Sequence, residues 1–432
     1  MKLVIPHIHK TLGDAGFFAK ISEKGNIDEV RIRVLEGLRQ IEGILIGRRI
    51  FETPLVISRI CGICPTSHIL NACQALEKAL EINPSQQTEN LRKLITAAQI
   101  IQSHSAHIFF MSLADFFDIE SEKELIRKFP KEARNVLRLR EFALSIIELV
   151  GGRTVHPITP VVGGFSKIPQ KQDYKKALEK CKKVRKHSLT LIKLLKKLEY
   201  PQLKRKTLFS SSFSAKEYPY HKGEKIKIGP FACETGDKVF TPGDFFSNQI
   251  EEDLKNPPAK RVKFKGKAYM VGATARVKNN WEVFDSEAKS FLEEFRKENK
   301  LIKEELFENN FYNTFFQSLE ILHFLKEIEK SLFELMKAKE EEPRKKFKVS
   351  RGSGLGVLEA PRGTLFSYFE IDNQGRIANC NIITPTAQFL RNLEEDFRVL
   401  YPIIENLSKK KKLRRIKTLI RAYDPCIACA VH

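Results

Sequence analysis

The chain has 432 residues, 42% hydrophobic and 30% charged, an ordinary globular composition that excludes a largely disordered protein. Lysine and arginine total 75 against 53 acidic residues, a net charge of +22, which raises the question of a nucleic-acid partner. The basic residues are spread along helix-like stretches such as 175–199, with one dense run at 409–417; both read as solvated surface or a docking face for an acidic partner, not as a nucleic-acid site.

In chain order, the start lacks the apolar core of a signal peptide, and alternation in "DEVRIRVLEG" (28–37) predicts a strand. Helix-period patterns then cover about 86–117, 131–150, 171–199, 283–303, 311–339 and 386–407, several well beyond the ~11-residue average. None contains the run of about 18 apolar residues that a membrane span needs. Between about 201 and 280, turn residues and short alternating runs predict a β-rich insertion. Strand-like runs broken by glycine turns predict a second small sheet at about 348–386, and those glycines fit no phosphate-binding fingerprint. The expected fold is a single domain over 1–432, mainly α with α+β additions: a central helical bundle with small β-rich excursions.

The eight cysteines form two CxxC pairs and four singles, a pattern that suits metal binding in a reducing compartment better than a disulfide framework. One pair lies in "RICGICPTSH" (59–68), with His68 four residues after Cys64; the other lies in "YDPCIACAVH" (423–432). Together Cys61, Cys64, Cys426 and Cys429 supply four sulfurs, a set that suits zinc, iron–sulfur or nickel. A structural zinc ribbon keeps its pairs local. Here they stand at opposite ends of the sequence, which shifts weight toward a buried functional site joining both ends and, on spacing alone, leaves it and a structural zinc about equally favoured. Cys181 shares an apolar helix side with Ala177, Leu178 and Val184 and reads as core packing; Cys73, Cys233 and Cys380 read as structural too.

These two motifs, with "EGLRQIEGILIGR" (36–48), "SHSAHIFFMSLAD" (103–115), "GGRTVHPITPVVGGF" (151–165), "EAPRGTL" (359–365) and "ITPTAQ" (383–388), resemble the large, catalytic subunit of nickel–iron hydrogenases across nearly the whole chain. The likeness is greatest to the soluble cytoplasmic, sulfhydrogenase-type branch. The resemblance implies reversible conversion of H2 to protons and electrons and a cytoplasmic location. It implies that Cys61 and Cys426 are terminal nickel ligands, and that Cys64 and Cys429 bridge nickel to an iron carrying carbon monoxide and cyanide. Cys426 is the expected proton-accepting thiolate. Arg362 would hang above the metals, held by Asp115 and Asp424, while Thr386 would donate to an iron-bound cyanide and His68 would reach a bridging sulfur. Glu42 and His432 would hold magnesium. His104, His107 and His156 are assigned to structural hydrogen bonding.

No cysteines remain for an iron–sulfur cluster in this chain, so an iron–sulfur small subunit is implied, with NAD(P)/flavin and ferredoxin-like electron-transfer subunits beyond it and NAD(P) or sulfur compounds as acceptors. Relatives that reduce quinones share the fold but lack the cysteine pairs. A non-turnover H2-sensing or zinc-holding scaffold subunit is the alternative. One position departs from the family pattern: "HKTLGDAGF" (9–17) places Leu12 where a proton-relaying glutamate is expected, and leucine carries no proton. Either the relay runs through Asp14 or water near His68, or turnover is slow; alternatively the motif is shifted and Asp14 is itself the expected carboxylate.

Overall fold

The computed structural model describes residues 2–230, 236–252, 259–339 and 342–432. Its centre is four long helices, Gln86–Ala106, Pro130–Gly151, Lys171–Lys196 and Asn313–Lys337, which pack against one another as a bundle. The outer two follow the amphipathic rule: Lys171–Lys196 buries Tyr174, Ala177, Leu178, Cys181, Leu191 and Leu195 and turns its lysines outward. Gln86–Ala106 is different, because its glutamines, serines and histidine are buried as well. Buried polar side chains are costly unless paired, and this helix spends them on the loop that carries the first cysteines.

Among the described residues, three sheets of three or four strands and two two-stranded pairs accompany the bundle. Lys2–Ile5, Ala15–Ile21 and Ile27–Val34 form an antiparallel meander; only its last strand was legible in the alternation at 28–37. The β-rich stretch expected at 201–280 contains a four-stranded sheet, in the order Tyr269–Met270, Leu208–Ser212, Ile226–Gly229, Lys238–Phe240, and the two-stranded pair Gln249–Glu251 with Val262–Phe264. Gly352–Ala360, Gly363–Ile371 and Ile377–Ile383 form the third, antiparallel sheet.

Gly352, Gly354 and Gly356 lie inside the first strand of that third sheet and are not turns. A Cβ on each would stand 2.1–2.2 Å from the carbonyl oxygens of Ala79, Ala75 and Asn71. Alternate glycines thus let the strand lie directly on the helix Pro65–Ala79. That helix starts at Cys64, with Pro65 at its first position, where the missing N–H costs nothing.

The basic run continues as a helix, Lys409–Ala422, which leads straight into the second cysteine pair. Among the described residues, no helix is long and apolar enough to cross a membrane.

Candidate metal centre

Two loops from opposite ends of the chain meet here. The first is held by Gln99 and Gln102, whose side-chain amides donate to the Ile63 carbonyl at 2.6 and 3.2 Å. Arg39 ties the loops together, donating to Ile60 O at 2.9 Å and Ala428 O at 2.6 Å, while its own N–H reaches Val431 O. Arg39 and the two glutamines are functional supports that sequence reasoning missed. Arg39 lies within a stretch quoted for the family likeness, but nothing in its spacing marks it as a clamp.

The result is four buried sulfurs lying within 4.8 Å of one another, the metal-capable cluster found among the described residues. Cys61 Sγ is 3.6 Å from Cys426 Sγ, Cys64 Sγ is 3.4 Å from Cys429 Sγ, and Cys426 Sγ is 2.8 Å from Cys429 Sγ. No disulfide joins them. Four unbonded sulfurs crowded this closely in a dry site fit a soft or borderline cation at their centre, since thiolates converge on one ion at about 2.3 Å each. Hydrogen bonds from the other sulfurs, Cys426 foremost, hold Cys61 well below the ordinary thiol value, while the same neighbours push Cys64 and Cys429 up.

Arg362 closes the site. It is 5% exposed, and its Nε and one terminal nitrogen donate to Asp424 O and Oδ1, both at 2.7 Å; the other reaches Ser103 Oγ at 3.3 Å. Burial works against its charge, but Asp424 and the nearby sulfurs outweigh that and raise its pKa. Asp424 has φ +53°, a left-handed backbone that non-glycine residues seldom adopt and that clusters at functional sites. Behind it, Gln317 donates to Asp424 Oδ2 at 3.1 Å, and Gln317 Oε1 accepts from His107 Nδ1 at 2.6 Å.

Asp115 does not join this arrangement. Its carboxylate pairs with Arg421, in a pocket lined also by His9, Lys10 and Lys417, so Arg362 is held by Asp424 and Ser103 and not by two carboxylates. The irregular end of the Gln86–Ala106 helix explains the shift: a π-helical turn at His107–Ser112 and a 3-10 turn at Leu113–Phe117 re-aim the side chains that follow.

Thr386 Oγ1 accepts from the Cys426 N–H at 3.0 Å, which leaves its own hydroxyl proton for the cleft it lines. That cleft, beside Cys64 and Cys429, is walled by Ala360, Pro361, Leu365 and Pro385, with room of ≈10 Å³, about one water's worth. A second metal with its own small ligands would have to spread these walls. His68 Nε2 stands 3.7 Å from Cys429 Sγ, so it reaches the sulfur of the distant pair, not that of its own motif. Burial pushes its pKa down to about 4, so its ring is neutral.

Glu42 and His432 also meet. His432 Nε2 is 3.6 Å from Glu42 Oε1 and 3.0 Å from Ile382 O, spacings close to the ~3 Å edges of an octahedron with ~2.1 Å bonds. Lys260 competes for the same oxygens, with its Nζ 2.7 Å from Glu42 Oε1 and 3.3 Å from Ile382 O. A divalent ion would need that ammonium to swing aside.

Leu12 lies against the second cysteine loop: its carbonyl accepts from Ile427 N at 2.7 Å, and it forms a bridge with Cys426. Asp14 points away, exposed and 3.2 Å from His7. The three structural histidines make the expected bonds, His104 to Glu320, His107 to Gln317 and Arg421 O, and His156 to Ser58 O. Cys73 and Cys181 are buried and Cys380 is partly so; Cys233 lies outside the described residues.

The comparisons with known proteins agree with this geometry. A family model described as nickel-dependent hydrogenase matches residues 39–136 and 214–432. The chain is 30% identical to the alpha chain of sulfhydrogenase 1 of Pyrococcus furiosus over all of this chain and 98% of that one. It is 29% identical to the alpha chain of sulfhydrogenase 2 of the same organism, over 95% of this chain and 94% of that one. Its fold is similar to an NAD+-reducing [NiFe]-hydrogenase in the H2-reduced state, with TM-score 0.86 and 22% identity over all of this chain and 99% of that one. The Ni-Fe-Se hydrogenase of D. vulgaris Hildenborough gives TM-score 0.82 and 21% identity, with both chains fully covered. With its cysteine pairs converging under a buried arginine and a family match over most of its length, the chain belongs to the nickel-dependent hydrogenases as a large subunit.

Proposed function

We propose that this chain catalyses the reversible heterolytic cleavage of H2 at a nickel–iron centre and passes the electrons to an iron–sulfur small subunit. The observation that carries this reading is the tetrad of sulfurs under Arg362. Cys61, Cys64, Cys426 and Cys429 would hold nickel, and Cys64 and Cys429 would also hold an iron carrying carbon monoxide and cyanide. When bound, the metal pair supplies the electrophilic, redox-active centre that H2 chemistry requires.

The chain's own residues supply the rest. Cys426 Sγ is the assigned proton acceptor, and Arg362 presents a fixed positive charge over it, worth far more in this dry site than in water. Asp424 fixes the guanidinium's direction, and the Thr386 hydroxyl is free to donate toward the cleft. Glu42, His432 and the Ile382 carbonyl are assigned to Mg2+, clamping the chain end beneath Cys429. Exposed apolar side chains at Leu38, Ile44, Ile46, Phe51 and Leu55 precede the first cysteine loop and suit the iron–sulfur partner. A cytoplasmic location, with flavin-, NAD(P)- or ferredoxin-linked subunits and NAD(P) or sulfur compounds as acceptors, rests on the relatives alone.

Leu12 favours a second reading, an H2-sensing subunit with slow turnover. Hydrogen/deuterium exchange between D2 and water by the purified protein separates the two. Fast exchange, abolished together with bound nickel by Cys426→Ser, supports the enzyme; nickel without appreciable exchange supports the sensor, and zinc in place of nickel overturns both.

A further inference from the structure

Behind Arg362 lies a row of polar side chains whose protons can be assigned one by one. His107 is 1% exposed. Its Nε2 is 2.7 Å from Arg421 O, a backbone carbonyl that also takes the Asp424 N–H at 2.8 Å. A carbonyl only accepts, so Nε2 carries a proton. On the other side of the ring, Nδ1 is 2.6 Å from Gln317 Oε1, and the next link fixes which way round that amide sits. Arg362 donates to Asp424 through both its carboxylate and its carbonyl, which keeps the side chain ionised, and a carboxylate also only accepts. Gln317 therefore turns its Nε2 to Asp424 Oδ2, at 3.1 Å, and its oxygen to His107. The reverse amide would set two oxygens without a proton against each other at that distance. Facing an acceptor on each side, the ring needs a proton on both nitrogens.

His104 and His68 show the contrast. Each engages one nitrogen, and the Nδ1 of each has no partner, so a neutral ring suffices. A buried charge is costly unless it is hydrogen-bonded and paired, and His107 meets both conditions, since Asp424 Oδ1 is 3.9 Å from Nε2. The other charged groups around the ring are already engaged. The Arg421 guanidinium turns to His9 O and Asp115, and Glu320, three residues after Gln317 on the same helix, is held by Arg276 and His104.

We propose that His107 is an imidazolium that acts as a positioning residue: through Gln317 and the Arg421 carbonyl it fixes Asp424, and Asp424 in turn aims Arg362 at the sulfurs. Because its Nε2–H ends on a carbonyl, the ring keeps its proton and passes none on, so it does not replace the relay missing at Leu12. The ring's charge follows from the hydrogen bonds alone, whereas the positioning role rests on the hydrogenase reading.

The test is nitrogen NMR of the full chain carrying isotope-labelled histidine rings, with the His107 signals identified by their loss in His107→Gln. Both ring nitrogens are expected to be protonated at about pH 8.5, about two units above the ordinary histidine value. An unprotonated nitrogen on that ring overturns the proposal. Gln317→Met removes one acceptor and is expected to leave the ring neutral at the same pH; a ring still doubly protonated there overturns it too. These spectra need no metal, so they decide the ring's charge whatever the chain catalyses. In nickel-loaded protein, His107→Gln is expected to slow D2/water exchange about tenfold at unchanged nickel content, with the unfolding temperature as the check on folding. An unchanged rate in that folded, nickel-loaded variant overturns the positioning role.

Discussion

Arg362 shows how one side chain's grip sets its chemistry. Its fork spans the backbone and carboxylate of Asp424, and lysine, with a single ammonium on a flexible stem, cannot make both contacts. Arg362→Lys is therefore expected to lower H2 oxidation about a hundredfold while nickel content, measured by elemental analysis, is unchanged. Asp14→Asn is expected to leave D2/water exchange at its original rate, because that carboxylate faces His7 at the surface; a slower rate would return Asp14 to the proton route. A third residue acts on stability alone. His323 is packed among Tyr218, Phe284 and Phe324, and burial holds its pKa down to about 4 from the ordinary 6.5. The unfolded chain takes up that proton first, so stability is full above pH 6.5 and falls as the pH drops toward 4, by up to about 3 kcal/mol. Thermal midpoints of His323→Phe should fall less across that window than those of the unaltered protein. At this scale the four cysteines were legible in the sequence because metal-binding thiolates fix residue type and local spacing, whereas Arg362 and Asp424 were reached only through the family resemblance of the motifs around them. Asp115 was placed at the arginine because a motif gives order along the chain but not the direction a side chain takes after a π-helical turn.

Elements were legible where one face is apolar at a regular period, as in Pro130–Gly151 and Lys171–Lys196. The helix Pro65–Ala79 was not, since all but one of its residues are buried and no polar face marks the period. The glycines at 352, 354 and 356 were read as turns for a related reason: glycine has two uses, and close approach of a strand to a helix backbone leaves no local signature. Gly354→Ala places a Cβ 2.1 Å from Ala75 O, an overlap that backbone atoms cannot relieve cheaply. It is expected to destabilise the protein by about 3 kcal/mol or more, read from urea unfolding. Arg276 tests the same principle on the other side of the site. It holds Glu320 and Glu359 as well as the carbonyls before Arg362. Arg276→Met should cost about 3–5 kcal/mol, because two carboxylates are left buried without their cation.

At the scale of the whole molecule, two cysteine segments far apart in sequence are brought together. The segment around the N-terminal sheet and the two cysteine loops meet through Leu12, Arg39 and Val431, so the metal centre doubles as the closure of a long loop of chain. That closure explains why the pairs stand so far apart in sequence, and it makes the metal a folding element as well as a catalytic one: a cation that binds only the assembled tetrad adds its binding energy to the fold. The exposed apolar side chains before Cys61 are the counterpart at the surface, and Ile46→Asp with Phe51→Asp should abolish co-purification of an iron–sulfur partner without altering the unfolding temperature of the isolated chain. The most direct test of the account is the infrared spectrum of protein purified without oxygen from its native host. Sharp carbon monoxide and cyanide stretches that disappear in Cys64→Ser are predicted. A spectrum without them, from protein whose four cysteines hold zinc, would contradict it.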